Sequence, residues 1–189
     1  MTTLNAFDDV HPEHALRDPR IISRALYADS SARNGKHYLI LKDGQHFIFA
    51  SVYQHINPTI NPSGEQWSGG SHIEIPAPAL IWLLNGIAMH RQQANQPPDE
   101  TPPPSTEHNA PAITIRGEHL SLARTANNIG YALQNHSRPV HLPWANANWH
   151  QKLELTDQVL FAQGYWTVLE KLAATLRPAP TASAIMAAV

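Results

Sequence analysis

The sequence predicts an α+β protein of two similar β-β-(β)-β-α halves, whose strands form a twisted antiparallel sheet packed on helices with pseudo-two-fold symmetry. Two stretches carry that prediction. HIEIPAPALIWLLNGIAMHR, from His72 to Arg91, and QKLELTDQVLFAQGYWTVLEKL, from Gln151 to Leu172, each read as a short apolar strand, a stop and a long apolar helix. A hairpin signal precedes each stretch, KDGQ in the first case and RGEH in the second. Aligned without gaps, Ile73, Glu74 and Ile75 meet Leu153, Glu154 and Leu155, and Leu80, Met89 and Arg91 meet Leu160, Leu169 and Lys171. The glycines Gly44 and Gly117 are offset by 73 positions and the strand-helix units by 80, which one loop insertion in the second half accounts for. Two apolar strand-helix units can look alike by chance, but the matching order of elements favours duplication.

Residues 1–35 form a polar N-terminal extension with a short helix from Asp18 to Tyr27, where Ile21, Ile22, Ala25 and Leu26 make an apolar stripe. The first half covers 36–96. Asp-Gly between the apolar runs Tyr38 to Leu41 and His46 to Val52 predicts an antiparallel pair. HINPTINPSGEQWSGG, with two Asn-Pro steps, reads as a loop before the strand HIEI. Pro76 and Pro78 end that strand and suit the first turn of a helix from Ala79 to Gln92. That helix is apolar almost all round and needs cover on more than one side.

Residues 97–111 are a Pro-rich acidic linker. The second half covers 112–177. Ile113 and Ile115 face Leu120 and Leu122 across RGEH, NIGYALQN and KLEL read as strands, and HSRPVHLPWANANWH reads as the loop between them. Thr156 and Asp157 are N-cap candidates for a helix to about Leu176, with an inward stripe of Leu160, Phe161, Tyr165, Val168, Leu169, Leu172 and Leu176. Residues 178–189 read as a flexible tail.

The 189 residues suffice for a sizeable core, and 42% hydrophobic with 15% charged residues describe a globular chain. The absence of cysteine removes disulfides, thiolate zinc sites and thiol nucleophiles, and a reducing cytoplasm is the easiest home. The start, MTTLNAFDDVHPEH, has no signal-peptide pattern, and the longest apolar run is too short for a membrane span. The net charge of −2 argues against a strongly electrostatic nucleic-acid binder. That average hides an acidic linker beside a mildly basic second half, where six Lys or Arg stand against four acids from Ala110 to Arg177.

In element order, from Lys36 to Arg177, the chain resembles the duplicated strand-strand-strand-strand-helix proteins that bind single-stranded nucleic acid, the PUR-repeat, Whirly and PC4-like group. The resemblance rests on topology without a signature motif, and it carries over no functional residue. It implies a DNA-binding or RNA-binding accessory protein without enzymatic activity. Those families usually display more basic sheet faces than this chain supplies.

Single-strand binding needs aromatic platforms and scattered cations. Tyr53, His55, Trp67, Tyr131, Trp144 and Trp149 are the candidate platforms, and Lys42, Arg116, Arg124, Arg138 and Lys152 the candidate phosphate partners. The plainer role for the tryptophans is to pin long loops onto the core. Twelve histidines invite a metal reading, but neither His11 with His14 nor His136, His141 and His150 has the spacing of a zinc hydrolase, so no metal site and no cofactor are expected. There is no Gly-rich phosphate loop and no nucleophile elbow, so enzymatic activity is not expected. The alternative is a protein-protein interaction module, an adaptor or inhibitor acting through apolar helices and a Trp-rich loop on a partner or as a homodimer.

Overall fold

The computed structural model describes residues 15–29, 32–64, 67–94, 112–140 and 149–176. The strands are β1 (Ile21–Tyr27), β2 (Ala32–Asp43), β3 (His46–His55), β4 (Trp67–Pro76), β5 (Ala112–Ile115), β6 (Glu118–Arg124), β7 (Gly130–Pro139) and β8 (His150–Thr156). Helix α1 (Ala79–Ala94) follows β4; a π-helical turn (Gln158–Ala162) and helix α2 (Tyr165–Ala174) follow β8. All the strands join one eight-stranded antiparallel sheet in the order β1-β2-β3-β4-β8-β7-β6-β5. The sheet is thus antiparallel and packed on helices, an α+β fold. The linker 97–111 and the tail 178–189 lie outside the described residues.

Both hairpin signals hold for a local reason. Asp43 pairs with His46 around Gly44, whose φ is 53°, and Ile115 pairs with Glu118 around Arg116 and Gly117, with φ of 51° and 81°. These left-handed conformations match the twist of the flanking strands. β4 is longer than the expected HIEI, because Trp67 and Ser68 already pair with Gln54 and Tyr53. β7 likewise runs into the stretch read as a loop, ending at Pro139.

Two expectations are corrected. The helix expected from Asp18 to Tyr27 is replaced by β1, which pairs with β2 from Ile21↔Leu41 to Tyr27↔Lys36. Its exposure alternates, with Ile22, Arg24 and Leu26 outward and Tyr27 buried. The free edge of β2 supplies a hydrogen-bond ladder and a pocket for Tyr27, and tertiary pairing overrides the local helical pattern. The long helix expected after Asp157 is interrupted, because Gly164 takes φ of 82° and becomes the N-cap of α2. A left-handed residue cannot continue an α-helix.

One face of the sheet carries the main core: Ile40, Phe47 and Ile73 from the first half lie in one cluster with Leu122, Leu133 and Leu153 from the second. Helix α1 presents Leu80, Leu83, Leu84 and Ile87 to it, a spacing of i, i+3, i+4 and i+7. Ile81 and Trp82 also pack against this core, so α1 is covered on more than its central stripe, while Met89 stays exposed. Each helix reaches strands of the other half. His90 of α1 lies against Tyr131, and Tyr165 of α2 lies against Tyr27 and Tyr38 at centroid distances of 5.8 and 5.6 Å. The opposite sheet face has its own small cluster under β2 and β3, where Ala15 and Leu16 cover Leu39, Leu41 and Ile48.

Candidate functional site on the open face of the sheet

The two halves of the sheet meet at β4 and β8, whose register consists of the single pair His72↔Lys152. Side chains take over where the ladder stops. The Glu74 backbone N–H donates to Gln151 Oε1 at 2.8 Å, and the Glu74 carbonyl accepts from Asn135 Nδ2 at 2.7 Å. Two amide side chains thereby satisfy a buried backbone unit that would otherwise lose its partners. Asn135 Nδ2 also donates to Glu118 Oε2 at 2.7 Å.

Beside these amides Arg138 joins two carboxylates. Its Nε and Nη2 donate to Glu118 at 2.7 and 2.8 Å, and its Nη1 donates to Glu74 Oε2 at 2.9 Å. His46 Nε2 lies 2.6 Å from Glu118 Oε1, and His72 Nε2 lies 3.2 Å from Glu74 Oε1. Arg138, Glu74 and Glu118 are 5%, 0% and 1% exposed. Burial alone would raise the Glu118 pKa, but hydrogen bonds from Arg138, His46 and Asn135 outweigh it and hold the group down at about 2. A carboxylate so firmly ionised is a poor proton donor or acceptor near neutrality. The cluster is a polar lock across the seam.

The remaining outer surface of the second half is different. In β6, β7 and β8 the core residues Leu120, Leu122, Leu133, Leu153 and Leu155 alternate with His119, Ser121, Gln134, His136, Lys152 and Glu154. Because successive strand residues point to opposite faces, the second set shares the face away from the helices. Neither hydrophobic core cluster draws a residue from it. Lys152 and Glu154 are exposed and paired at 2.7 Å, an ion pair of small energetic weight. Three imidazoles lie side by side across the strands: His119 to His136 at 5.3 Å and His136 to His150 at 5.8 Å between ring centroids. Among the described residues no three histidine, aspartate or glutamate side chains are grouped to hold a metal ion.

The expected interface residues do not assemble on one surface. Lys152 stands on the open face, and Trp149, 54% exposed, leads into β8. Lys42 and Arg116 come to one end of the sheet, where Arg116 donates to Gln45 Oε1 at 3.0 Å. Tyr53 lies at the opposite end of β3, with Lys36 Nζ 5.2 Å from its ring centroid. Arg124 is held by Asp157 at 2.8 Å and covers the Tyr131 ring, which is 2% exposed and belongs to the core. Tyr131 is therefore removed as a stacking platform, and Arg138 as a phosphate partner, because both are buried with their interactions directed inward. Trp144 and the side chain of Trp67 lie outside the described residues.

Sequence reasoning missed the lock residues Glu74, Glu118, Asn135 and Gln151, and of the imidazole row it missed His119. The period-two alternation of β6 with Leu120 and Leu122 was the available signal for His119. Among the described residues no helix is long and apolar enough to cross a membrane. Comparison with protein-family models and with curated proteins finds no match.

Proposed function

We propose that this protein is a cytoplasmic, non-enzymatic accessory protein that binds single-stranded nucleic acid across the outer face of β4, β8, β7 and β6. The observation that carries the reading is the alternation in β6, β7 and β8: apolar residues are committed to the helices, while imidazoles, an amide, a hydroxyl, Lys152 and Glu154 line the other side. Flat π-faces and hydrogen-bonding groups on an extended sheet suit splayed bases, which need no groove. A four-strand-plus-helix order occurs twice once β1 of the N-terminal extension is counted with β2, β3 and β4, and each helix reaches strands of the other unit, which supports descent from a duplicated unit of the PUR-repeat, Whirly or PC4-like kind. Few free cations imply modest affinity and a shallow salt dependence.

The test is fluorescence anisotropy with a labelled poly-T oligonucleotide at low and moderate salt. Binding at micromolar protein is expected, with Lys152→Glu and Trp149→Ala each weakening it by about tenfold, in line with the loss of one phosphate contact or one stacked base. The thermal midpoint should stay unchanged, because both side chains are exposed. No binding in low salt refutes the reading, and variants that only lower stability make those residues structural.

A second reading has its own observation. Among the described residues β1 is an edge strand, with exposed Ile22 (46%) and Leu26 (55%), and an apolar edge can take up a strand from a second copy of the chain. Light scattering on the same sample decides it: a concentration-dependent dimer without oligonucleotide binding favours this homodimer, and a monomer removes it.

A further inference from the structure

We infer that strand binding on this face is coupled to proton uptake at His136, the central ring of the row His119, His136 and His150, so that the protein grips a single-stranded polyanion more tightly as the pH falls. The inference rests on the proposed binding face and adds a regulatory property to it.

The row sits on three adjacent strands with its rings 5.3 and 5.8 Å apart. Like charges at such spacing oppose one another, and His136 has a ring on either side. Burial, and then the nearby His119 and His150, hold the His136 pKa below its ordinary value. The other charges here give little relief. Lys152 is paired with Glu154, His72 with Glu74, and Arg138 with Glu74 and Glu118. Thr114 and Ser121 are the neutral neighbours from β5 and β6.

The hydrogen bonding permits a change of charge without repacking. Ser121 Oγ lies 2.7 Å from His136 Nε2, and Thr114 Oγ1 lies 3.5 Å from His119 Nδ1. A hydroxyl donates to a neutral ring nitrogen and accepts from a protonated one. His150 Nδ1 is buried and has no hydrogen-bond partner among the described residues. A phosphate backbone along the row offsets the repulsion between rings. The His136 pKa in the complex then rises above its value in the free protein. By linkage, affinity grows as pH falls from above the bound value to below the free one, by about tenfold per pH unit for each proton taken up.

The experiment is calorimetric titration of the full chain with a poly-T oligonucleotide, in buffers of different ionisation enthalpy at about pH 6.5, where free imidazole is half charged. Uptake of about one proton or more per complex is expected. Anisotropy at matched ionic strength should give at least about tenfold tighter binding at about pH 6.0 than at about pH 7.5. The triple change His119→Gln, His136→Gln and His150→Gln should reduce that ratio to less than about threefold, whereas the control His55→Gln preserves it. Binding without proton uptake overturns this inference and leaves the binding face standing. A complete absence of binding at both pH values overturns both.

Discussion

Replacing Arg138 by methionine lowers the unfolding free energy by about 3–5 kcal/mol, the usual cost of removing one partner from a buried ion pair. The large value follows from what remains. Glu74 and Glu118 keep 0% and 1% exposure and lose their shared guanidinium, whose three nitrogens reach them at 2.7 to 2.9 Å. Two neighbouring buried carboxylates must then take up a proton or admit water. Urea unfolding at neutral pH measures the loss, and the same curves separate lost charge pairing from lost packing. Exchanging Arg138, Glu74 and Glu118 together for methionine and two leucines removes the uncompensated charge and should recover most of the stability. A loss below about 1 kcal/mol in the single variant would show that these groups are hydrated, and the polar lock would fail as an account of the seam.

Acidification acts on the same cluster and removes about 3 kcal/mol through Glu118 alone, given a folded pKa of about 2 against an ordinary 4.5. The direction is that of a depressed carboxylate. The contribution is fully present above the unfolded value and is lost as pH falls from about 4.5 towards about 2. Chemical unfolding across that range should show wild-type stability dropping more steeply than that of Glu118→Gln, which carries no titrating group at this position. Parallel profiles for the two proteins would mean that Glu118 ionises as freely in the folded state as in the unfolded one.

What the sequence disclosed divides along physical lines. Local chemistry was legible: Asp43-Gly44 and Arg116-Gly117 mark hairpins because left-handed residues are needed there, and Pro76 and Pro78 mark the start of α1. β1 was misread because Ile21, Ile22, Ala25 and Leu26 fit a helical stripe as well as a strand, and only the free edge of β2 decides between them. The break before α2 was visible as Gly164, but its left-handed φ of 82° depends on how the chain docks. At the candidate site, Lys152 and Trp149 were named for their residue types, and their exposure is known only from the structure. Arg138 was misassigned because its partners stand 64 and 20 positions away, and no local pattern announces such a meeting. Asn135 and Gln151 escaped notice for the same reason: their amides repair a gap in a ladder that exists only once β4 and β8 lie side by side.

The most direct test of the open face is amide chemical-shift mapping of isotope-labelled protein titrated with a poly-T oligonucleotide. The account predicts that the shifts concentrate at His119, Ser121, Gln134, His136 and Lys152, with Ile22 to Leu26 and α1 unmoved. Shifts confined to β1 or the helices, or none at all, would contradict it.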